Sequence, residues 1–199
     1  MKTTTAMTTI GLGLLLAEEV YAGPIEVMTG IKSTTLDAQI SGPIIGSTGF
    51  LLRNRTTIPY EGKVSIFQLG DITYALGNGF DAVAELQVAL TQDSSIIMPR
   101  LGAHYYHNFG TIEMDSVVTI DSQYAELDAF VQYRPKITNT INGFAKIETI
   151  QDIGLQGYVF GTELTRLGVD VKGYKTGLAL DVTHPDTTCN LGLFVLKSF

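Results

Sequence analysis

Charge is scarce in this chain of 199 residues, with 13 Lys or Arg and 20 Asp or Glu, so that 17% of side chains are charged against about 25% in ordinary soluble domains. Long apolar runs are also missing. Beyond residue 22 no segment approaches the roughly 18 to 20 consecutive apolar residues of a spanning helix, which excludes a helical membrane protein. Cys189 is the single cysteine, so no intramolecular disulfide can form. No Lys/Arg cluster exists to neutralise phosphates, and a net charge of −7 with pI near 4.8 argues against a nucleic-acid partner. Six prolines and an aperiodic set of 21 glycines exclude collagen, and 45% apolar residues exclude disorder. A mean hydropathy of +0.20 then leaves a folded, acidic, β-rich chain of single-domain length.

Residues 1–22 read as a secretory signal peptide: Lys2 supplies the early positive charge, Ala6 to Ala17 a short apolar run, and Val20-Tyr21-Ala22 a cleavage site. A single mature domain, 23–199, follows. Within it period two prevails over period 3.6. Ala82, Ala84, Leu86, Val88 and Leu90 share one face with Glu85 and Gln87 on the other, and Leu127, Ala129, Val131 and Tyr133 oppose Glu126, Asp128, Gln132 and Arg134. The same alternation places strands at 31–41, 47–57, 63–76, 80–91, 96–107, 111–121, 125–137, 143–153, 162–172, 176–183 and 190–199, with a weaker one at 24–30. Tight punctuation at Gly77-Asn78-Gly79, Asn108-Phe109-Gly110, Thr138 to Asn142 and Gly173-Tyr174-Lys175 alternates with longer links at 91–95, 121–124, 152–161 and 184–190.

Strands of about 9–11 tilted residues cross a bilayer, and a series of such alternating segments separated by turns is the sequence form of a transmembrane barrel. On this pattern, and on a last strand that sets Leu191, Leu193, Val195 and the terminal Phe199 on one face, the chain resembles the bacterial outer-membrane β-barrel proteins. The resemblance implies an all-β, antiparallel up-and-down transmembrane barrel in a Gram-negative outer membrane. Parity gives 12 strands, or ten if residues 23–46 lie outside the barrel. It also implies lipid and the barrel assembly machinery as partners, the latter through Phe199 as assembly signal. The tight turns and the C-terminus would then face the periplasm, with the longer links outside. Leu86, Val118, Val131, Leu167 and Leu180 are expected to face lipid.

Catalytic and metal signatures are missing. His104 and His107 are an odd number apart and fall on opposite faces of a strand, so a shared metal is not expected and they read as His side chains among the aromatics of a membrane rim; no Gly-x-Ser-x-Gly, His-Glu-x-x-His or phosphate-binding loop occurs. No enzyme, cofactor or metal is expected. The lumen-facing register carries Lys63, Arg100, Arg134, Lys146 and Arg166 against Asp71, Glu85, Glu113, Asp115, Glu126, Asp128, Glu148, Asp170 and Asp181. Charges at membrane depth are tolerated where they meet water or each other. The expected function is porin-like passive transport of small solutes with weak cation preference, with space provided by inward Gly102 and Gly168. The alternatives are a filled structural or binding barrel whose loops touch a partner, and a secreted soluble β-barrel carrier with its faces inverted.

Overall fold

A strand with one apolar and one polar face still exposes backbone donors and acceptors along both edges, which only neighbouring strands can satisfy in lipid. The computed structural model, which describes residues 21–91 and 93–198, meets this condition with twelve strands. They are β1 (Tyr21–Gly30), β2 (Ser33–Ile45), β3 (Thr48–Pro59), β4 (Ser65–Gly77), β5 (Phe80–Leu90), β6 (Ser95–Asn108), β7 (Ile112–Ile120), β8 (Tyr124–Tyr133), β9 (Ile141–Gly154), β10 (Gly157–Val171), β11 (Tyr174–His184) and β12 (Thr188–Lys197). Each pairs antiparallel with the next, and β1 pairs with β12 from Ile25↔Lys197 to Gly30↔Gly192, so the sheet closes into a barrel without edges. The ten-strand alternative fails because β1 and β2 occupy the stretch it left outside. Phe199 and residues 1–20 lie outside the described residues, and β1 begins at Tyr21, within the expected signal segment.

Two connections depart from the expected contrast between tight turns and longer links. Residues 152–161 are not a loop: β9 and β10 stay paired as far as Gly154↔Gly157 around a two-residue turn. Conversely, the link expected to be tight at 138–142 is the long one, spanning 134–140. Pro135 explains this, since a residue without an N–H cannot extend the β8 ladder beyond Tyr133. At Asn78-Gly79 and Lys172-Gly173 both residues have positive φ, the left-handed pair that matches the twist of a two-residue hairpin.

The outer face is apolar around the ring. Leu86, Val118, Val131, Leu167 and Leu180 are all exposed there, as are Leu101, Ile147 and Leu193. Exposed Tyr74, Phe80, Tyr133 and Tyr174 crown the end where β1 begins and β12 stops, the terminal end. Tyr60, Tyr158 and Phe160 stand at the opposite, distal end. Two aromatic rows flanking an apolar band match the girdles of a membrane barrel. Inside, Met28, Phe144, Ala179, Phe194 and Leu196 form an apolar cluster, which accounts for the weak alternation of the last strand: Phe194 and Leu196 pack inward.

Candidate functional site

The interior of the barrel is its polar core. Along β5, Glu85 and Gln87 are 5% and 1% exposed while Leu86, between them, is 37% exposed, as a one-residue alternation requires. Three arginine centres pair many of the inward charges. Arg53 on β3 reaches across the barrel, since β3 and β9 lie opposite each other in the ring. Its Nη2 sits 2.7 Å from Asp37 Oδ2 and 2.8 Å from Glu148 Oε1, and its Nη1 3.4 Å from Asp128 Oδ2. Lys146 Nζ completes this group 2.6 Å from Glu148 Oε2.

Arg100 organises the distal half. Its Nη1 is 2.7 Å from Glu126 Oε2, Nε is 3.2 Å from Asp121 Oδ2 and Nη2 is 3.1 Å from Asp152 Oδ1. Gln87 Nε2 donates to Glu126 Oε1 at 2.5 Å, and Thr119 Oγ1 donates to Glu85 Oε1 at 3.1 Å. Asp121 lies in the connection after β7. Burial pushes its carboxyl up, but the N–H groups of Gln123 and Tyr124 and the Arg100 guanidinium outweigh this and hold it below the usual carboxylate range. Arg166 donates through Nε and Nη2 to Glu26 Oε1 (2.9 and 2.7 Å) and through Nη1 to Asp181 Oδ1 (2.5 Å). Arg55 links this group to the first, at 3.5 Å from Asp181 and 3.9 Å from Asp37.

Toward the terminal end, Arg134 pairs with Glu113 at 3.0 Å, and His104 sits between Asp81 (2.8 Å) and Asp115 (3.2 Å). His104 therefore belongs to the lumen and not to the rim, whereas His107 stacks between Tyr105 and Phe109. Asp170, also buried, accepts the Gly173 N–H at 3.0 Å. Lys63 departs from the lumen set. It lies in the connection before β4, more than half exposed, and pairs with Asp93, because the strand starts two residues later than the alternation suggests. Nor do Gly102 and Gly168 provide space. A Cβ at Gly102 would meet the Val118 carbonyl oxygen at 2.0 Å, and one at Gly168 the Thr176 oxygen at 1.9 Å, so these glycines admit the close approach of neighbouring backbone.

Sequence reasoning misses Glu26, Asp37, Arg53, Arg55, Asp81, Asp121, Asp152 and Lys175, all of which belong to the interior or its ends. The signal for the two arginines is present in Arg53-Asn54-Arg55, an alternation inside an assigned strand, while Asp152 is hidden by the assignment of 152–161 as a loop. With these added, acids exceed bases inside the barrel by a wider margin than the sequence reading gives.

Space remains between these groups. A polar cavity of about 540 Å³ runs from mid-barrel toward the terminal end, lined by Asp71, Glu85, His104, Asp115, Asp128 and Phe130 among others. A small one of about 40 Å³ lies on the Glu26–Arg166 side. Arg53, Lys146 and Glu148 line both, so the Arg53 bridge partitions the lumen. Among the described residues no group of three His, Cys, Asp or Glu side chains is arranged to hold a metal ion.

No family model matches the chain, and no curated protein matches it in sequence. Solved structures do match in fold. The KdgM porin aligns with 91% of this chain and 99% of its own at 11% identity and a TM-score of 0.50. LpxR from Salmonella typhimurium aligns with 91% of this chain and all of its own at 8% identity and a TM-score of 0.50. Both are outer-membrane β-barrel proteins, and the likeness is one of architecture.

Proposed function

We propose that this chain is a non-catalytic outer-membrane barrel of a Gram-negative cell and conducts small solutes through a narrow, cation-favouring lumen constricted at Arg53. The observation that supports this most is the acidic cavity of about 540 Å³ enclosed by a barrel whose outer face is apolar between two aromatic rows. In this reading residues 1–22 direct export and 23–199 form the mature barrel. The terminal end then faces the periplasm, and the connections 60–64, 91–94 and 121–123, which share the opposite end, lie outside. Lipid contacts the outer face. Phe199 is the recognition element for the assembly machinery, and its deletion should leave the chain in the periplasm. Normal outer-membrane levels of the truncated chain would contradict that role.

Conduction is tested in planar bilayers holding purified, refolded protein under a salt gradient. The expected result is small current steps with a reversal potential of the sign for cations, because the inward acids set a negative internal potential. A second reading, a filled structural barrel, draws on the Arg53 bridge itself, which spans the lumen through Asp37 and Glu148. A silent protein that causes no increase in outer-membrane permeability on expression would favour it.

A further inference from the structure

We propose that the lumen holds a binding site for a small organic cation, a primary ammonium on an apolar stem, anchored on the carboxylate of Asp71. This rests on the reading of the lumen as a cation path and names the class of solute that would dwell there.

The unusual group is Asp71 itself. It is 7% exposed, lines the large cavity, and its Oδ1 has no hydrogen-bond partner. The other buried acids of the lumen differ from it: Asp37, Glu126 and Glu148 each face an arginine within 3 Å, Glu85 accepts from Thr119 Oγ1 and Asp170 from the Gly173 N–H. Directly opposite Asp71 on the neighbouring strand stands Glu85, a like charge, which adds to the cost. Glu85 in turn pairs across to Arg100, but that guanidinium is 4.0 Å from Glu85 and is committed to Glu126, Asp121 and Asp152, so its charge is not available to Asp71. His104, on the cavity wall from β6, is held by Asp81 and Asp115. A buried carboxylate without a hydrogen bond costs free energy that a bound donor would remove.

The shape of the surroundings selects the donor. Leu51, Leu69, Val83 and Val117 line the same cavity and offer an apolar wall beside the acids. Three ligands for a metal ion are not gathered there, whereas an ammonium needs only hydrogen-bond acceptors and takes its remaining contacts from hydrocarbon. An ammonium in the cavity beside the Asp71 carboxylate, with its alkyl stem along Val83 and Val117, would offset the like charges of Asp71 and Glu85.

The test uses the full chain refolded in detergent, with n-butylammonium chloride as probe, calorimetric titration as readout, and sodium chloride and sodium butyrate at equal ionic strength as controls. Saturable binding of n-butylammonium and none of sodium or butyrate is expected. Asp71→Asn, an isosteric change that removes a buried charge and should leave the barrel folded, is expected to weaken binding about tenfold or more, the scale of one lost hydrogen bond to a charged group. Val117→Phe, which fills the cavity and leaves every charge in place, should weaken it as well. Equal heats from sodium chloride, or unchanged affinity in Asp71→Asn, would overturn the proposal. Binding is measured without a membrane, so a protein that binds but does not conduct refutes the channel and keeps the site, and one that conducts but does not bind refutes only the site.

Discussion

Asp128 and Glu113 show how differently two inward acids can be placed. Asp128 is the third and most distant partner of Arg53, and its side chain is a quarter exposed to the cavity, while Glu113 is held by Arg134 and by Gln132 Nε2 at 2.9 Å. Neither is essential to hold Arg53, which keeps Asp37 and Glu148 when Asp128 is neutralised. Glu113→Gln with Asp128→Asn should therefore shift the reversal potential toward zero while leaving the channel open, and an unchanged reversal potential would show that the lumen acids do not set selectivity. The identities of most such acids are readable from alternation alone, because a charge between two apolar neighbours on a strand has only one face to occupy. Their partners are not readable. Arg53 and Glu148 are far apart in sequence and on opposite walls, and only the closure of the ring and the width of the lumen bring them together.

At the scale of the strand, the alternation carries an energetic prediction. Val131 is exposed on the apolar face of β8 and Gln132 is buried on its inner face, so the two differ by one residue and by the medium they meet. Arg on the lipid face costs up to about 2–4 kcal/mol at the bilayer midplane, so Val131→Arg should lower the yield of folded barrel far more than Gln132→Arg. Equal yields, read as the heat-modifiable fraction on a gel, would contradict the assignment of faces. Strand number, order and approximate limits are legible in the sequence because hydrophobic period and turn residues are local properties. What is misjudged is local composition without pairing: the stretch 152–161, with its three glycines, looks like a loop until its partner strand is known, and Pro135 lengthens a connection whose Asn-Thr sequence suggests a tight turn.

At the scale of the whole molecule, a ring of twelve strands encloses an interior wide enough to keep a cavity and narrow enough for one guanidinium to span. The Arg53 bridge is the point at which an open lumen and a filled one differ. Single-channel recording of wild type beside Arg53→Ser tests this most directly, since the shorter side chain removes the crossing while Lys146 remains to pair with Glu148. A severalfold larger conductance in the variant, with cation selectivity strengthened by the loss of a positive charge, is the result predicted. Wild type and Arg53→Ser both silent at every applied voltage, in protein shown to be folded and inserted, would contradict the channel.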